Sequence, residues 1–207
     1  MEEGAQIRID LAAEERTEPF SMSWGKDEVT EDLQPLIAQA ARSDAPILIQ
    51  GGAKPDQEVV ARLLHTQSRR AGGPFVAIHC DQVSRKLLEG ELFGYETDSS
   101  TGVTGTKPGL LAAAETGTLF FNDLGVLSGP TQIGLLRFLE QGAYQPVQSQ
   151  RRLRADVRIV GATNQDLQAL VLQGRFSDDL LYRITTITLR IPSLSAQVLN
   201  QNRTPLG

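Results

Sequence analysis

Apolar residues follow two different periodicities along the chain. Between residues 29 and 42 they recur at steps of three and four, which predicts an amphipathic helix. Beyond it, short β-rich runs predict strands at Pro46–Gln50, Phe75–Cys80, Thr118–Asn122, Val157–Ala162 and Thr185–Ile191. Between the strands, longer amphipathic stretches predict helices at Glu58–Arg70, Ser84–Leu92, Gly109–Glu115, Gly129–Gln141 and Asn164–Gln173.

The alternation of strands and helices predicts an α/β fold built from βαβ units around a parallel five-stranded sheet. The run Thr118–Phe121 is nearly continuously apolar, as expected of a parallel strand that is buried on both faces. Two segments follow neither periodicity. Residues 95–108 are rich in Gly, Ser and Thr, residues 143–154 carry three arginines, and we predict exposed loops in both.

The two ends of the chain differ from its middle. Residues 1–20 are acidic with a short alternation of Ile7, Ile9 and Leu11, and we predict a flexible arm or a fraying edge segment. Residues 195–207 are polar, and we predict a flexible tail. One domain is therefore expected over residues 21–194, in keeping with a length of 207 residues and about 150 residues per domain.

Composition argues against a disordered, DNA-binding, membrane-spanning or secreted protein. An apolar fraction of 40% with a net charge of −5 is typical of a globular core rather than of disorder. A pI of about 5.1 argues against a dedicated DNA-binding domain. The longest apolar runs fall far short of the ~20 residues that span a bilayer, and the N-terminus has no apolar signal region. The single cysteine, Cys80, favours a reducing compartment, so we expect a cytoplasmic protein without direct DNA or membrane contact.

The first candidate site follows the first strand after residue 42. Ligands of parallel α/β sheets bind at the carboxyl ends of the strands, and here Gly51 and Gly52 lie at such an end. A phosphate-binding loop at this place reads G-x-x-x-x-G-K-[ST]. At that spacing the chain has Gly51, then Asp56 and Gln57 in place of the second glycine and the lysine. Taken alone, the loop fits an ordinary strand-to-helix turn equally well.

Six further segments carry a resemblance to a known domain. They are FVAIHC, LLEGELFGYE, KPGLLAAAETGTLFFNDLG, LLRFLEQGAYQPV, DVRIVGATNQDL and GRFSDDLLYRITTITLRIPSL. In this order and spacing, they resemble the central AAA+ ATPase domain of bacterial sigma-54-dependent transcription activators over residues 21–194. The resemblance implies a three-layer αβα P-loop NTPase core, degenerate in its working residues and truncated, with the family's helical lid absent. We expect no helix-turn-helix domain either.

The resemblance also implies a nucleotide site with altered residues. The family's loop runs G-E-[ST]-G-T-G-K-[ED], and only Gly51 and Glu58 match it. Pro55 removes one N–H, Asp56 adds negative charge, and Gln57 cannot neutralise phosphate charge as lysine would. We expect weak ATP or ADP binding, with Mg²⁺ only alongside nucleotide and no other metal. The nucleotide-contact positions implied are Gly51, Gly52, Lys54, Gln57, Glu58 and Asn164. Lys54 is a cation in the same loop, three positions before the position of the family's lysine.

The implied catalytic positions are Asn122, Asp123 and Arg183. The family has Asp-Glu at the third strand end, for Mg²⁺ and for the attacking water, and this chain has Asn122 and Asp123. Alternatively, these residues only cap a strand. Of the family's two trans-acting arginines the first is Ser177 here, and Arg183 remains. A surface ion pair between Arg183 and Asp179 is the alternative for that arginine.

Two polar residues complete the implied site. Asn164 matches the family's sensor asparagine, and a helix N-cap is its alternative. His79 stands where the family has an asparagine that restrains the catalytic glutamate. We favour buried polar packing for His79 over a zinc site with His65 and Cys80, because no ligand spacing supports zinc.

These departures predict a regulator of transcription with little or no ATP hydrolysis. The family's sigma-54-contacting loop, G-A-F-T-G-A, corresponds to residues 98–103 with Ser100 in place of the phenylalanine. The alternative is a slow ATPase that remodels sigma-54 RNA polymerase. The expected partners are sigma-54 RNA polymerase or an intact AAA+ homologue, and the expected state is a monomer or a weak oligomer.

Overall fold

The secondary structure comes from a computed structural model that describes residues 7–10, 28–96 and 106–192. The strands within these ranges are β1 (Ile7–Asp10), β2 (Ile47–Gly51), β3 (Phe75–His79), β4 (Tyr95–Glu96), β5 (Thr106–Lys107), β6 (Thr118–Asn122), β7 (Ala143–Tyr144), β8 (Leu153–Arg154), β9 (Arg158–Thr163) and β10 (Ile187–Ile191). The helices are α1 (Glu28–Ala41), α2 (Lys54–Thr66), α3 (Arg85–Phe93), α4 (Leu110–Ala113), α5 (Gly129–Gln141), α6 (Leu167–Leu172) and α7 (Asp178–Ile184). In the described part of the chain, no helix is both long and apolar enough to cross a membrane.

A central sheet organises the fold. Over the described residues its strand order is β1–β3–β6–β9–β2–β10. The strands from β3 to β10 in this order are parallel, which confirms the predicted five-stranded parallel sheet. β1 adds a sixth strand, antiparallel to β3, with Ile7 opposite Ile78. Of the two alternatives predicted for this segment, residues 7–10 form the edge segment, because the open edge of β3 supplies hydrogen-bonding groups to them.

Helices cover both faces of the sheet, as the three-layer prediction requires. On one face α1 and α2 pack on Ile47, Ile49 and Phe120. On the other face α3 to α7 pack on a second core that includes Leu48 and Phe121. Successive residues of β2 and β6 thus belong to opposite cores, which explains why these strands read as continuous apolar runs.

Both segments predicted to be exposed loops contain short strands. β4 pairs with β5, and β7 pairs with β8, as short antiparallel hairpins. Tyr144 is buried against Phe138 with 6.4 Å between ring centroids, so the expectation of a fully exposed loop at 143–154 is wrong. Backbone hydrogen bonds from Val147 N to Gly94 O (2.8 Å) and from Glu96 N to Val147 O (3.2 Å) join the hairpins. The expected sigma-54-contacting loop at 98–103 and the expected tail at 195–207 lie outside the described residues.

Helix α2 begins at Lys54, four residues before the predicted start at Glu58. The cause is Pro55, since proline fits the first turn of a helix, where its missing N–H has no intrahelical acceptor to bond. The earlier start brings Lys54, Asp56 and Gln57 onto the first turn of the helix, directly after β2.

Arg158 lies at the start of β9, at the end of the sheet opposite to the turn between β2 and α2. Its side chain is fully buried and donates to three helix-terminal carbonyls: Ala40 O at 2.8 Å, and Ala41 O and Leu64 O at 3.3 Å. The guanidinium therefore satisfies the C-terminal ends of α1 and α2, where orphan carbonyls and the helix dipoles favour a cation. Burial lowers the pKa of Arg158 from its usual value.

Candidate functional site

Polar and charged side chains meet where β2, β3, β6 and β9 end. The carboxyl ends of these parallel strands lie side by side at the same end of the sheet. Each strand is followed by residues that carry a carboxylate, an amide or a cation. The residues at this edge are Lys54, Gln57, Glu58, His79, Asp81, Asn122, Asp123, Asn164 and Gln165. We call this cluster the strand-end site.

Two glycines form the turn that carries the chain from β2 into α2. Gly51 and Gly52 have φ of +87° and +70°, a region that side-chain-bearing residues rarely adopt. A Cβ on Gly51 would lie 2.4 Å from Ile191 O, on the neighbouring strand β10. The turn therefore requires glycine for packing and conformation alone, whatever binds beside it.

The first turn of α2 offers few free backbone donors. The Ala53 N–H donates to the Asp56 carboxylate at 3.1 Å, and Pro55 has no N–H. The Asp56 side chain thus occupies a donor that would otherwise face an anion at the helix N-terminus. The negative charge of Asp56 lies where a phosphate-binding loop would present backbone N–H groups.

Gln57 is buried, with 1% of its surface exposed, and its amide spans the site. Nε2 donates to Gly51 O and to Asn164 Oδ1, both at 2.9 Å. The side chain therefore ties the end of β2 to the end of β9. Asn164 does not cap α6, because the N-cap is Asp166, whose carboxylate accepts from Ala169 N at 3.1 Å.

Lys54 lies between two carboxylates. Its Nζ is 2.6 Å from Asp81 Oδ2 and 3.7 Å from Asp123 Oδ2. The hydrogen bond to Asp81 is the main cause that raises the pKa of Lys54. Burial raises the pKa of Asp81, but the hydrogen bond and charge of Lys54 outweigh it and leave that pKa below its usual value. The loop before α2 is thereby joined to the turn after β3.

Asp123 is oriented by its backbone and by an amide and a hydroxyl donor. It has φ of +69°, in the left-handed region, and begins the 3₁₀ turn Leu124–Val126. Its Oδ1 accepts from Gln165 Nε2 at 3.1 Å and lies 3.5 Å from Thr163 Oγ1. The carboxylate therefore faces the end of β9 and the Lys54 ammonium rather than a helix backbone.

Asn122 is the buried polar residue of the site. It is 1% exposed, and in the described part of the chain neither atom of its amide has a hydrogen-bond partner. Strand alternation places its side chain on the same face as Phe120 and Thr118, which is the face covered by α2. An unsatisfied amide at this depth costs about 1–3 kcal/mol, which is more than a simple strand cap would explain.

The two histidines lie at opposite ends of the sheet's parallel strands: His79 at the carboxyl end of β3, and His65 beside the start of β6. His79 Nε2 is 3.6 Å from Glu58 Oε2 at the strand-end site, and Glu58 also binds Arg62 at 2.8 Å. His65 Nδ1 lies 3.0 Å from Thr118 Oγ1, where β6 begins, so the two histidines cannot share a metal. The described residues hold no group of three or more His, Cys, Asp or Glu that could bind one.

Arg183 is not part of the strand-end site. Its guanidinium is 3.6 Å from Glu140 Oε1 on α5, so the predicted ion pair with Asp179 is wrong. Ser177, at the position of the expected first arginine, is the N-cap of α7 and accepts from Leu180 N at 3.2 Å. Its N–H donates to Gln132 Oε1 at 2.8 Å, so this serine has a structural function in the chain.

Comparison with known proteins identifies the domain. The family model described as Sigma-54 interaction domain matches residues 24–190. The chain belongs to this family. It is 37% identical over 174 residues to the DNA-binding transcriptional regulator NtrC of Bradyrhizobium sp. (strain RP501 Parasponia), covering 84% of this chain and 36% of that protein. It is 37% identical over 192 residues to the transcriptional regulatory protein GlrR of Escherichia coli K12, covering 90% of this chain and 43% of that protein.

Solved structures agree with the assignment. NtrX from Brucella abortus in complex with ADP superposes with a TM-score of 0.77 at 32% identity, over 83% of this chain and 37% of that one. The P-loop NTPase domain of an E. coli sigma-54 transport activator, at 20% identity and a TM-score of 0.55, supports the fold alone; the match covers 82% of this chain and 99% of that one. The chain spans less than half the length of the curated relatives described above.

In this sigma-54 interaction domain the strand ends bring together most of the sites predicted from sequence. Gly51, Gln57, Asn164 and Asp123 converge as expected. Two contributors were missed by the sequence analysis, Asp81 and Gln165. Asp81 lies in the turn directly after β3, and this position at a strand end was the signal that could have identified it.

Proposed function

We propose that this domain regulates transcription through protein contacts and hydrolyses ATP little or not at all. The observation that carries the proposal is Gln57, which occupies the lysine position of the P-loop with a buried neutral amide bound to Gly51 and Asn164. A neutral amide provides no cation at the β and γ phosphates, where charge compensation is the main catalytic contribution of such a loop.

The surrounding charges support the same conclusion. Lys54 is bound to Asp81, and Asp56 occupies a backbone donor at the start of α2. Asn122 supplies an amide rather than a carboxylate, and amides bind hard cations more weakly. The Lys54–Asp81 contact, the Asp56 carboxylate and the Asn122 amide each reduce the stabilisation of bound phosphate and magnesium at the strand-end site.

The residue roles belong to this proposal. Nucleotide, held weakly, would contact Gly51, Gly52, Lys54, Gln57, Glu58 and Asn164. The degenerate catalytic positions are Asn122, Asp123 and Arg183. Mg²⁺ would enter only with nucleotide, and the partner would be sigma-54 RNA polymerase or an intact homologue whose ring the domain joins. Direct DNA binding is not part of the proposed role, in line with a pI of about 5.1.

One observation favours the alternative of a slow ATPase. Asp123 keeps a carboxylate at the strand end, and Lys54 Nζ lies 3.7 Å from its Oδ2, so a base and a cation are both present. A lysine displaced by three positions would have to leave Asp81 before it could reach a phosphate. This requirement makes the alternative the weaker of the two.

An ATPase assay on the purified chain tests the proposal. With millimolar ATP and magnesium we expect no turnover above a protein-free blank, measured as phosphate release. The corresponding domain of the NtrC relative serves as the positive control under the same conditions. A turnover of about one per second, typical of a slow but working enzyme, would establish the alternative.

Calorimetric titration with ATP and ADP separates weak binding from none. We expect binding in the high micromolar to millimolar range, because backbone donors and Asn164 remain while the lysine charge does not. A flat titration at millimolar nucleotide would remove the ligand and leave a module that acts through protein contacts alone.

A further inference from the structure

The contact between Lys54 and Asp81 joins two loops that are distant in sequence. The residues are 27 positions apart, and the 2.6 Å hydrogen bond connects the first turn of α2 to the turn after β3. We call this pair the latch. It lies at the first turn of α2, and a phosphate group that binds a helix N-terminus would approach this turn.

We propose that Asp81 is a positioning residue that holds the Lys54 ammonium away from ligands and so keeps polyphosphate anions out of the strand-end site. This inference rests on the proposed function, because it explains how a site with a lysine in its loop still fails to use it. Opening the latch would release one cation toward an incoming polyphosphate.

The local charge balance supports an exclusion role. With the latch closed, the Lys54 charge is compensated by Asp81, and Asp123 lies 3.7 Å away on the other side. Asp56 adds a carboxylate at the start of α2, and Gln57 contributes no charge. A polyphosphate therefore meets uncompensated negative charge at this edge of the sheet, and like charges at short range repel.

The exposure of the latch sets the size of the effect. The side chains of Lys54 and Asp81 are 44% and 35% exposed, so water and salt screen their attraction. Exposed pairs of this kind shift an equilibrium by up to about fivefold. The latch is therefore easily opened, and neutralising Asp81 removes both the competitor for Lys54 and one repulsive charge.

Two neutral variants of Asp81 test the proposal with inorganic tripolyphosphate as the probe. Asp81→Asn and Asp81→Ala are titrated calorimetrically at low ionic strength beside the unchanged chain. We expect tripolyphosphate affinity to rise about fivefold in both variants. In the double variant Lys54→Ala/Asp81→Ala the gain should disappear, because the released cation is gone.

Glu91→Ala is the matched control. Glu91 pairs with Lys107 at 2.5 Å on α3, so this change removes one carboxylate from an ion pair outside the strand-end site. It should leave the affinity unchanged, which separates a local effect from a change in net charge. Thermal unfolding of every variant confirms that it is folded.

Equal affinity in the unchanged chain and in Asp81→Asn would overturn the latch, as would a gain that persists in the double variant. Failure of the proposed function is distinguishable from either outcome. It would show as ATP turnover by the unchanged chain, whatever the tripolyphosphate affinity of the Asp81 variants.

Discussion

Gln57 and Asn122 are two neutral amides at positions where the family pattern has a lysine and an aspartate. Both side chains are 1% exposed; Gln57 lies on the first turn of α2, and Asn122 lies on the face of the sheet that α2 covers. A buried cation without an anion, or the reverse, costs several kcal/mol, whereas neutralising both members avoids that cost. The two substitutions are therefore expected to depend on each other.

Charging one of these residues alone should destabilise the fold more than charging both. We predict that Gln57→Lys and Asn122→Asp each lower the free energy of unfolding by about 1–3 kcal/mol, and that the double variant recovers about 1 kcal/mol or more of the sum. Urea unfolding of the four proteins measures the coupling. Pairing Gln57→Lys with Gln141→Glu, on the other side of the sheet, provides an additive control. Additivity within about 0.5 kcal/mol for Gln57 and Asn122 would contradict the prediction.

Only part of the strand-end site could be predicted from the sequence. Gly51, Gln57 and Asn164 follow strands directly and could be read from the chain, because parallel strands end at one edge. The Lys54–Asp81 pair could not, since it depends on where α2 begins and on which way the lysine side chain turns. Sequence spacing fixes neither of these.

Arg158 shows how one residue can hold two helices to the sheet. Its three hydrogen bonds reach the ends of both α1 and α2, and the strand-end site depends on α2 for Lys54, Gln57 and Glu58. The apolar core alone does not satisfy those helix-terminal carbonyls, because each one needs a donor.

Replacing Arg158 by methionine should destabilise the domain strongly. The change leaves Ala41 O and Leu64 O without their donor and Ala40 O with the Ser43 N–H alone, and we predict a loss of about 3 kcal/mol in the free energy of unfolding. Arg158→Lys keeps the charge but offers a single ammonium, so its loss should be intermediate. Chemical unfolding followed by circular dichroism measures both. Equal stability of the methionine variant and the unchanged chain would show that the carbonyls find other partners.

Most element types were predicted well from periodicity, while helix α7, several boundaries and the short hairpins were not. The five parallel strands were each found close to their predicted ranges, because β2 and β6 have continuous apolar runs and β10 alternates apolar and polar residues. The start of α2 was wrong because Pro55 permits a helix start that apolar spacing does not reveal. The two-residue strands of the hairpins at 95–107 and 143–154 are too short to show any alternation.

At the scale of the whole molecule, the structure bears on assembly into rings. Ser177, at the position of the family's first trans-acting arginine, caps the N-terminus of α7, and Arg183 forms an ion pair with Glu140 of the same chain. We predict that the isolated chain is a monomer or a weak small oligomer and that ATP does not change this, because each lost cation weakens the same head-to-tail interface. Sedimentation velocity with and without a non-hydrolysable ATP analogue measures the state.

Restoring the nucleotide site should not restore assembly or turnover. In the triple variant Asp56→Gly/Gln57→Lys/Asn122→Asp, Ser177 still supplies no arginine to a neighbouring subunit. The same sedimentation and phosphate-release measurements apply to it. A hexamer that forms only with nucleotide, in the variant or in the unchanged chain, would contradict the prediction.

The position of β2 between β9 and β10 has a consequence for biosynthesis. Ile47 pairs with Val160 on one side and with Ile187 on the other, so both partners of β2 are translated more than 100 residues after it. At a synthesis rate of about 5–20 residues per second, this apolar strand waits several seconds with both edges open. By contrast, β3 finds β6 within about 40 residues. The strand that carries Gly51 therefore keeps both edges unpaired for longer during synthesis than β3 keeps the edge that pairs with β6, and we expect chaperones to bind the nascent chain there.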